Sequence, residues 1–236
     1  MTKIDDNFNT YSTTWDGRLG ASKTTFPHSG SAYARYGKRP IDTFLVLISM
    51  TVLLPGMVLI TLSIILSQGG VPFFRHRRIG RNGVPFMCWK FRTMVPNAES
   101  RLKDYLANNP CAAKEWKENF KLTHDPRITR LGRFLRCSSM DELPQIWNII
   151  KGDMSIVGPR PVTQEELSMY GPSLHYYYSV RPGLTGPWQV SGRNDTSYSD
   201  RVGVGLDVDY AKTFTVRTDF SIIKSTVKAV IYRTGR

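Results

Sequence analysis

Hydrophobic and polar positions fall into two regimes along this chain. From Phe44 to Leu66 (FLVLISMTVLLPGMVLITLSIIL) no charge interrupts the apolar run. About 23 residues at ~1.5 Å each match the ~30 Å hydrocarbon core of a bilayer, so the run predicts a membrane helix; a buried core helix is the alternative. Pro55 and Gly56 stand at its middle, and proline removes a backbone hydrogen bond and kinks a helix. Both flanks are basic, with Lys38 and Arg39 before the run and Arg75, Arg77 and Arg78 after it. Basic flanks mark the cytoplasmic side. A straight span would carry one cluster across the membrane, whereas a hairpin-like re-entrant helix broken at Pro55 keeps both inside.

Elsewhere the periods are short. Residues 1–37 are rich in Ser, Thr, Asn, Asp and Gly without an apolar period, and read as a flexible leader with no secretory signal. In Gly83–Met94 partial alternation places Phe86, Cys88, Lys90 and Arg92 on one side of an extended segment. Lys90 and Arg92 then point the same way and suit a diphosphate, with a solvated basic face as the bland alternative. Residues 98–108 and 112–121 read as surface helices broken at Asn109-Pro110. Ile128, Leu131 and Leu135 make one helical face, with Arg130, Arg133 and Arg136 beside it. Arg130 and Arg133 suit solvent or lipid headgroups, and Arg136, nearest the acids that follow, suits a ligand. Residues 163–169 are a short helical candidate. Residues 181–195 read as a loop with an exposed Trp188, and the tail from Ile222 to Arg233 as an amphipathic helix. The fold expected is α+β, mainly helical: a monotopic cytoplasmic catalytic domain (71–236), a re-entrant membrane helix (38–70) and amphipathic interfacial helices.

Charge sharpens this picture. Thirty-two Lys and Arg against 19 Asp and Glu leave +13, which points to an anionic partner: nucleic acid, a phosphorylated substrate or a membrane surface. Three cysteines without metal spacing fit a reducing compartment and offer no disulfide framework. Within Ser138–Pro161 two acids, Asp141 and Glu142, lie side by side among arginines, and Gly158-Pro159-Arg160-Pro161 forms a stiff turn with one guanidinium. Adjacent carboxylates in a basic chain suit phosphate and metal chemistry. The bland alternative is a capping box, Ser139-x-x-Glu142, with Pro144 in the first turn.

Several strings together resemble the bacterial sugar transferases, the monotopic polyprenyl-phosphate hexose-1-phosphate transferases. They are Lys38-Arg39-Pro40-Ile41-Asp42, Arg77-Arg78-Ile79-Gly80, Lys90-Phe91-Arg92-Thr93-Met94, Asp125-Pro126-Arg127, Asp141-Glu142-Leu143-Pro144-Gln145, Gly158-Pro159-Arg160-Pro161 and Arg181-Pro182-Gly183-Leu184-Thr185-Gly186. The resemblance is nearest to the exopolysaccharide-initiating type with the catalytic domain alone. It implies transfer of a hexose 1-phosphate, galactose before glucose, from a UDP-sugar to undecaprenyl phosphate, with release of UMP and a requirement for Mg²⁺. It implies Asp141 as nucleophile and Glu142 as partner, both metal-binding; Lys90, Arg92 and Arg136 as phosphate ligands; and Pro159, Arg160 and Pro161 near the nucleotide. The implied setting is the cytoplasmic face of the bacterial inner membrane, ahead of downstream glycosyltransferases, with a homo-oligomer left open and no nucleic acid. Many members carry Ser before the helix-breaking proline, where this chain has Leu54. Two rivals stand beside this: a membrane-anchored nucleic-acid binder, and a non-catalytic scaffold of a polysaccharide machine whose acids merely cap.

Overall fold

The computed structural model describes residues 31–119, 122–191 and 202–231. Most of the expected leader, and residues 192–195 of the expected loop, lie outside them. Helix α1 (Lys38–Gln68) is entered through a π-helical turn at Tyr33–Gly37 and runs as one element with Pro55 inside it. At ~1.5 Å per residue it is about 46 Å long. Just before Pro55, the hydroxyls of Ser49 and Thr51 donate to Val46 O and Ile48 O at 2.8 and 2.7 Å. Such back-bonding commonly accompanies a helix bend.

One stripe of α1, spaced by threes and fours, lies against the rest of the fold. Val46, Met50 and Leu53 pack with Ile146, Ile149 and Met154. Met57, Ile60 and Ile64 pack with Phe91 and Leu135. Both halves of the helix therefore touch the same body, while Phe44, Leu47, Val52, Leu59, Leu62 and Leu66 face outward. The helix is long and apolar enough to cross a membrane, and its outward face is an apolar surface of the kind that lipid covers.

After α1 the chain makes an antiparallel hairpin of β1 (Phe73–Ile79) and β2 (Pro85–Phe91), in register from Phe73 opposite Phe91 to Ile79 opposite Pro85. Its turn uses Asn82 and Gly83 at φ 58° and 75°, a left-handed pair suited to a tight reversal. Helices α2 (Ala98–Asn108) and α3 (Pro110–Asn119) follow, then α4 (Arg130–Cys137), capped by Thr129, whose hydroxyl accepts from Gly132 N at 2.9 Å. A 3₁₀ turn, Met140–Gln145, leads into α5 (Ile146–Lys151). Strand β3 (Ser155–Val157) pairs in parallel with β4 (Gly183–Thr185); between them lie a 3₁₀ stretch, Glu165–Ser173, and α6 (Leu174–Ser179). Helices α7 (Pro187–Val190), α8 (Val202–Thr213) and α9 (Val216–Ile231) complete the described chain. Among the described residues the fold is mainly helical, as expected, with two small sheets.

Three features go beyond the reading of the sequence. The strand β1 was not foreseen, because five of its seven residues are exposed and carry no alternation. Ser139 sits at φ 56° with no capping hydrogen bond, so the Ser139–Glu142 capping box does not form. The packed body begins before Lys38: Tyr33 stacks edge-on against Phe214 and donates to Asp219 Oδ2 at 2.5 Å. Lys38 Nζ reaches the same oxygen at 2.6 Å and Tyr210 OH reaches Oδ1 at 2.6 Å, so one buried carboxylate ties α9 and α8 to the start of α1.

Candidate active site

The site is assembled by close backbone approaches. Gly132 lies so near the chain after β2 that a Cβ there would stand 2.0 Å from Thr93 O. This contact seats α4, and Arg136 Nε then donates to Thr93 Oγ1 at 2.9 Å. Asn148 on α5 acts as a surrogate strand: its Nδ2 donates to Met87 O at 2.8 Å and its Oδ1 accepts from Trp89 N at 3.1 Å. Lys90, the next residue, is thereby held opposite the 3₁₀ turn, where its Nζ donates to Glu142 Oε1 at 2.7 Å. Phe86 and Cys88 are buried on that face of β2, as the alternation predicts.

The third wall is the Pro159-Arg160-Pro161 turn. Gly158 N donates to Thr185 O and Gly183 N to Pro159 O, at 2.9 and 2.8 Å, and a Cβ on Gly158 would meet Arg181 O at 2.4 Å. Glycine is required by contact here. Asp207, fully buried on α8, accepts from Arg160 N at 3.1 Å. The Arg160 guanidinium lies 5.5 Å over the Trp188 ring, so Trp188 is half-buried under a cation, a correction to its expected exposure. Glu166 accepts from Arg78 at 2.9 Å and from Arg160 at 3.3 Å, holding the two guanidiniums side by side. Burial alone would raise the Glu166 pKa, but the Thr163 amide, Arg160 and Arg78 outweigh it and hold the carboxyl below its ordinary range.

These walls enclose a cleft of ≈ 130 Å³ bordered by Arg78, Lys90, Glu142, Gln145, Arg160 and Pro161, among others. Asp141, the residue before Glu142, does not itself line the cleft. Burial first, and then the neighbouring Glu142 charge, push its carboxyl up to about 6, against the pull of Lys90 and Arg136. Cys88 also borders the cleft, but burial pushes its thiol up to about 11, so it stays protonated and unreactive at neutral pH.

Of the residues singled out from sequence, Lys90, Glu142, Arg160 and Pro161 meet at the cleft. Arg136 lies on its α4 side, within electrostatic reach of Asp141. Pro159 is fully buried under the turn. Arg92 is directed elsewhere: it lies beyond the end of β2, and its guanidinium donates to Gly69 O at the end of α1. Sequence reasoning missed Arg78 as a cleft residue, along with Glu166, Gln145 and Asp207. Only Gln145 had a signal, since in a 3₁₀ turn it eclipses Glu142 three residues earlier.

Among the described residues no cluster of three or more His, Cys, Asp or Glu could hold a metal by itself. Magnesium commonly binds through one or two carboxylates plus substrate phosphate oxygens. Glu142, which shares the cleft with Arg78, Lys90 and Arg160, and the adjacent Asp141, within electrostatic reach of Lys90 and Arg136, fit that partial donor set.

The chain thus joins a long apolar helix to a body whose cleft sets Glu142 among Arg78, Lys90 and Arg160. The chain belongs to the bacterial sugar transferase family, whose model matches residues 33–233. It is 46% identical over 202 residues to "UDP-galactose-lipid carrier transferase" of Erwinia amylovora, and 45% identical over 202 residues to "Undecaprenyl-phosphate galactose phosphotransferase" of Salmonella typhimurium. In each case the match covers 86% of this chain and 42% of the relative, so the chain spans well under half of those proteins. It is 44% identical over 198 residues to "Exopolysaccharide production protein ExoY" of Sinorhizobium fredii, covering 84% of this chain and 87% of that protein.

Proposed function

We propose that this chain transfers a hexose 1-phosphate, galactose before glucose, from a UDP-sugar to undecaprenyl phosphate, releasing UMP and initiating exopolysaccharide repeat-unit assembly. The names of the relatives support the reaction class and favour galactose. The observation in the chain itself that carries the reading is the unequal acid pair: Glu142 held by Lys90 at a cationic cleft, and the adjacent Asp141 left more basic than an ordinary aspartate. The failed capping box at Ser139 removes the simplest non-catalytic account of these acids.

Asp141 is the nucleophile. A carboxyl with a pKa near 6 is mostly ionised at neutral pH and more basic than an ordinary aspartate, so it needs no general base. Its oxygen bonds to the sugar-linked phosphorus as the bond to the UMP oxygen breaks. An oxygen of undecaprenyl phosphate then attacks that phosphorus, the bond to Asp141 breaks, and the diphosphate-linked sugar leaves as a lipid. The two substrates differ in polarity, and a covalent relay spares the cleft from holding both together. Arg78, Lys90 and Arg160 oppose the diphosphate charge. Mg²⁺, held by Asp141 and Glu142, would supply further charge neutralisation to the phosphate oxygens.

The packing of both halves of α1 on one body supports a monotopic arrangement, with the helix entering and leaving on the cytoplasmic side and bending near Pro55. The test is UMP release from UDP-galactose, dependent on undecaprenyl phosphate and Mg²⁺. A radiolabelled phosphosugar adduct should be trapped with donor alone and be absent from Asp141→Asn. Turnover without any adduct would assign direct attack by the lipid phosphate.

A further inference from the structure

We propose that the side-chain amide of Gln145 binds a vicinal diol of the sugar nucleotide; the inference rests on the function proposed above. Gln145 borders the cleft with Lys90, Glu142 and Arg160, yet it is only 2% exposed. Its Oε1 is closed off from solvent and accepts no hydrogen bond, and its Nε2 forms none among the described residues. Buried amides are almost always partnered, because an unmet polar group keeps its full desolvation penalty. A leucine would fill the same volume without that penalty. The position therefore carries a polar group whose partner arrives from outside the chain.

The turn geometry says where that partner sits. Met140–Gln145 is a 3₁₀ turn, so Gln145 and Glu142 lie on one face, one turn (about 6 Å) apart along the axis. A molecule whose phosphates lie beside Glu142 and Lys90 extends past Gln145. The chemistry says what the partner is. An amide offers a donor and an acceptor side by side, and its terminal torsion is soft enough to turn both toward a ligand. A phosphate oxygen would satisfy Nε2 and leave Oε1 unmet. Two adjacent hydroxyls satisfy both, one accepting from Nε2 and the other donating to Oε1. The cleft cations take the diphosphate charge, which leaves the amide for the neutral part of the donor. A UDP-hexose carries vicinal diols at two places, the ribose and the hexose.

The experiment is calorimetric binding of UDP and UDP-galactose, with Mg²⁺, to the full chain in detergent micelles. An Asp141→Asn background keeps the donor intact. Gln145→Leu should bind roughly tenfold more weakly, the loss expected for hydrogen bonds removed from a buried site. Equal weakening for UDP and UDP-galactose assigns the ribose diol. Weakening for UDP-galactose alone assigns the hexose. Unchanged affinity for both, in a variant that unfolds at the same temperature, overturns the proposal. Should Gln145→Leu not fold, the same contact is read with Gln145 present, from 2′-deoxy-UDP and UDP-3-deoxygalactose, which between them break every vicinal diol of the donor: full affinity for both deoxy ligands overturns it. Failure of the Gln145-containing protein to bind UDP or UDP-galactose at all would overturn the functional reading as well, an outcome distinct from loss of the Gln145 contact alone.

Discussion

Lys90 Nζ donates to Glu142 Oε1 at 2.7 Å, while Asp141, one residue earlier, has no ion pair among the described residues. The two neighbouring carboxylates thus differ in partner, and burial, followed by the Glu142 charge, is what raises the Asp141 carboxyl. The paired acid is compensated, and the other is left as a strained, basic anion.

That strain has a sign. The Asp141 carboxyl titrates near 6 in the folded protein and near 3.9 in an unfolded chain, so between these values the folded state holds the extra proton. Stability from this group is present at low pH and is lost as pH rises from about 4 through 6. Asp141→Asn should therefore abolish turnover yet raise stability at pH 7.5 by of order 1–3 kcal/mol in the absence of Mg²⁺. The gain should vanish below about pH 4, as thermal unfolding across pH would reveal. Turnover of the unmodified protein should fall as pH drops through 6.

Lys90→Met should lower turnover at least tenfold and shift stability by less than about 1 kcal/mol, because the Lys90–Glu142 pair is partly solvated. Arg160→Met should behave alike, whereas Arg130→Met and Arg133→Met, on the exposed side of α4, should stay within about twofold in solution assays. Equal losses at all four positions would mean that bulk charge, not the cleft, drives binding.

Gly132→Ala is expected to destabilise the fold by about 3 kcal/mol or more, since its Cβ would overlap a backbone carbonyl and force α4 off Thr93. Because Arg136 rides on α4, turnover should fall even at temperatures where the variant is folded. Denaturant unfolding together with the UMP assay separates the two effects.

Asp219→Ala strips Tyr33, Lys38 and Tyr210 of their shared acceptor. Removing one partner of a buried ion pair commonly costs about 3–5 kcal/mol. The expected signature is early proteolysis near the start of α1. Asp219→Asn should recover part of the loss by keeping the acceptor oxygen.

For topology, single cysteines near residues 38 and 76, in a chain lacking Cys88, Cys111 and Cys137, should both be shielded from a membrane-impermeant reagent applied outside intact cells. Labelling of one flank only would establish a full span. Pro55→Leu should favour the spanning form by restoring the backbone bond to Thr51 O.

Much of this was legible in sequence where one local signal sufficed. An uncharged apolar run announces α1, alternation announces β2, and the adjacent acids announce the cleft. What stayed hidden depends on contacts between distant segments. Nothing near Asp207 says that it will catch the backbone of Arg160, and nothing at Asn148 says that it will finish the edge of β2. Arg92 was placed with Lys90 by strand periodicity, but the strand ends at Phe91 and the rule lapses one residue too soon. Ser139-x-x-Glu142 has the spelling of a cap, yet its left-handed serine excludes one.

The stripe of α1 that covers Ile146, Ile149, Leu135 and Phe91 bears on how this protein comes into being. A chain cut at residue 71 would not be a soluble enzyme freed of its tether, because it would emerge with two patches of its own interior facing water. The folding of the body is thereby tied to its apolar helix, which covers both of these core patches.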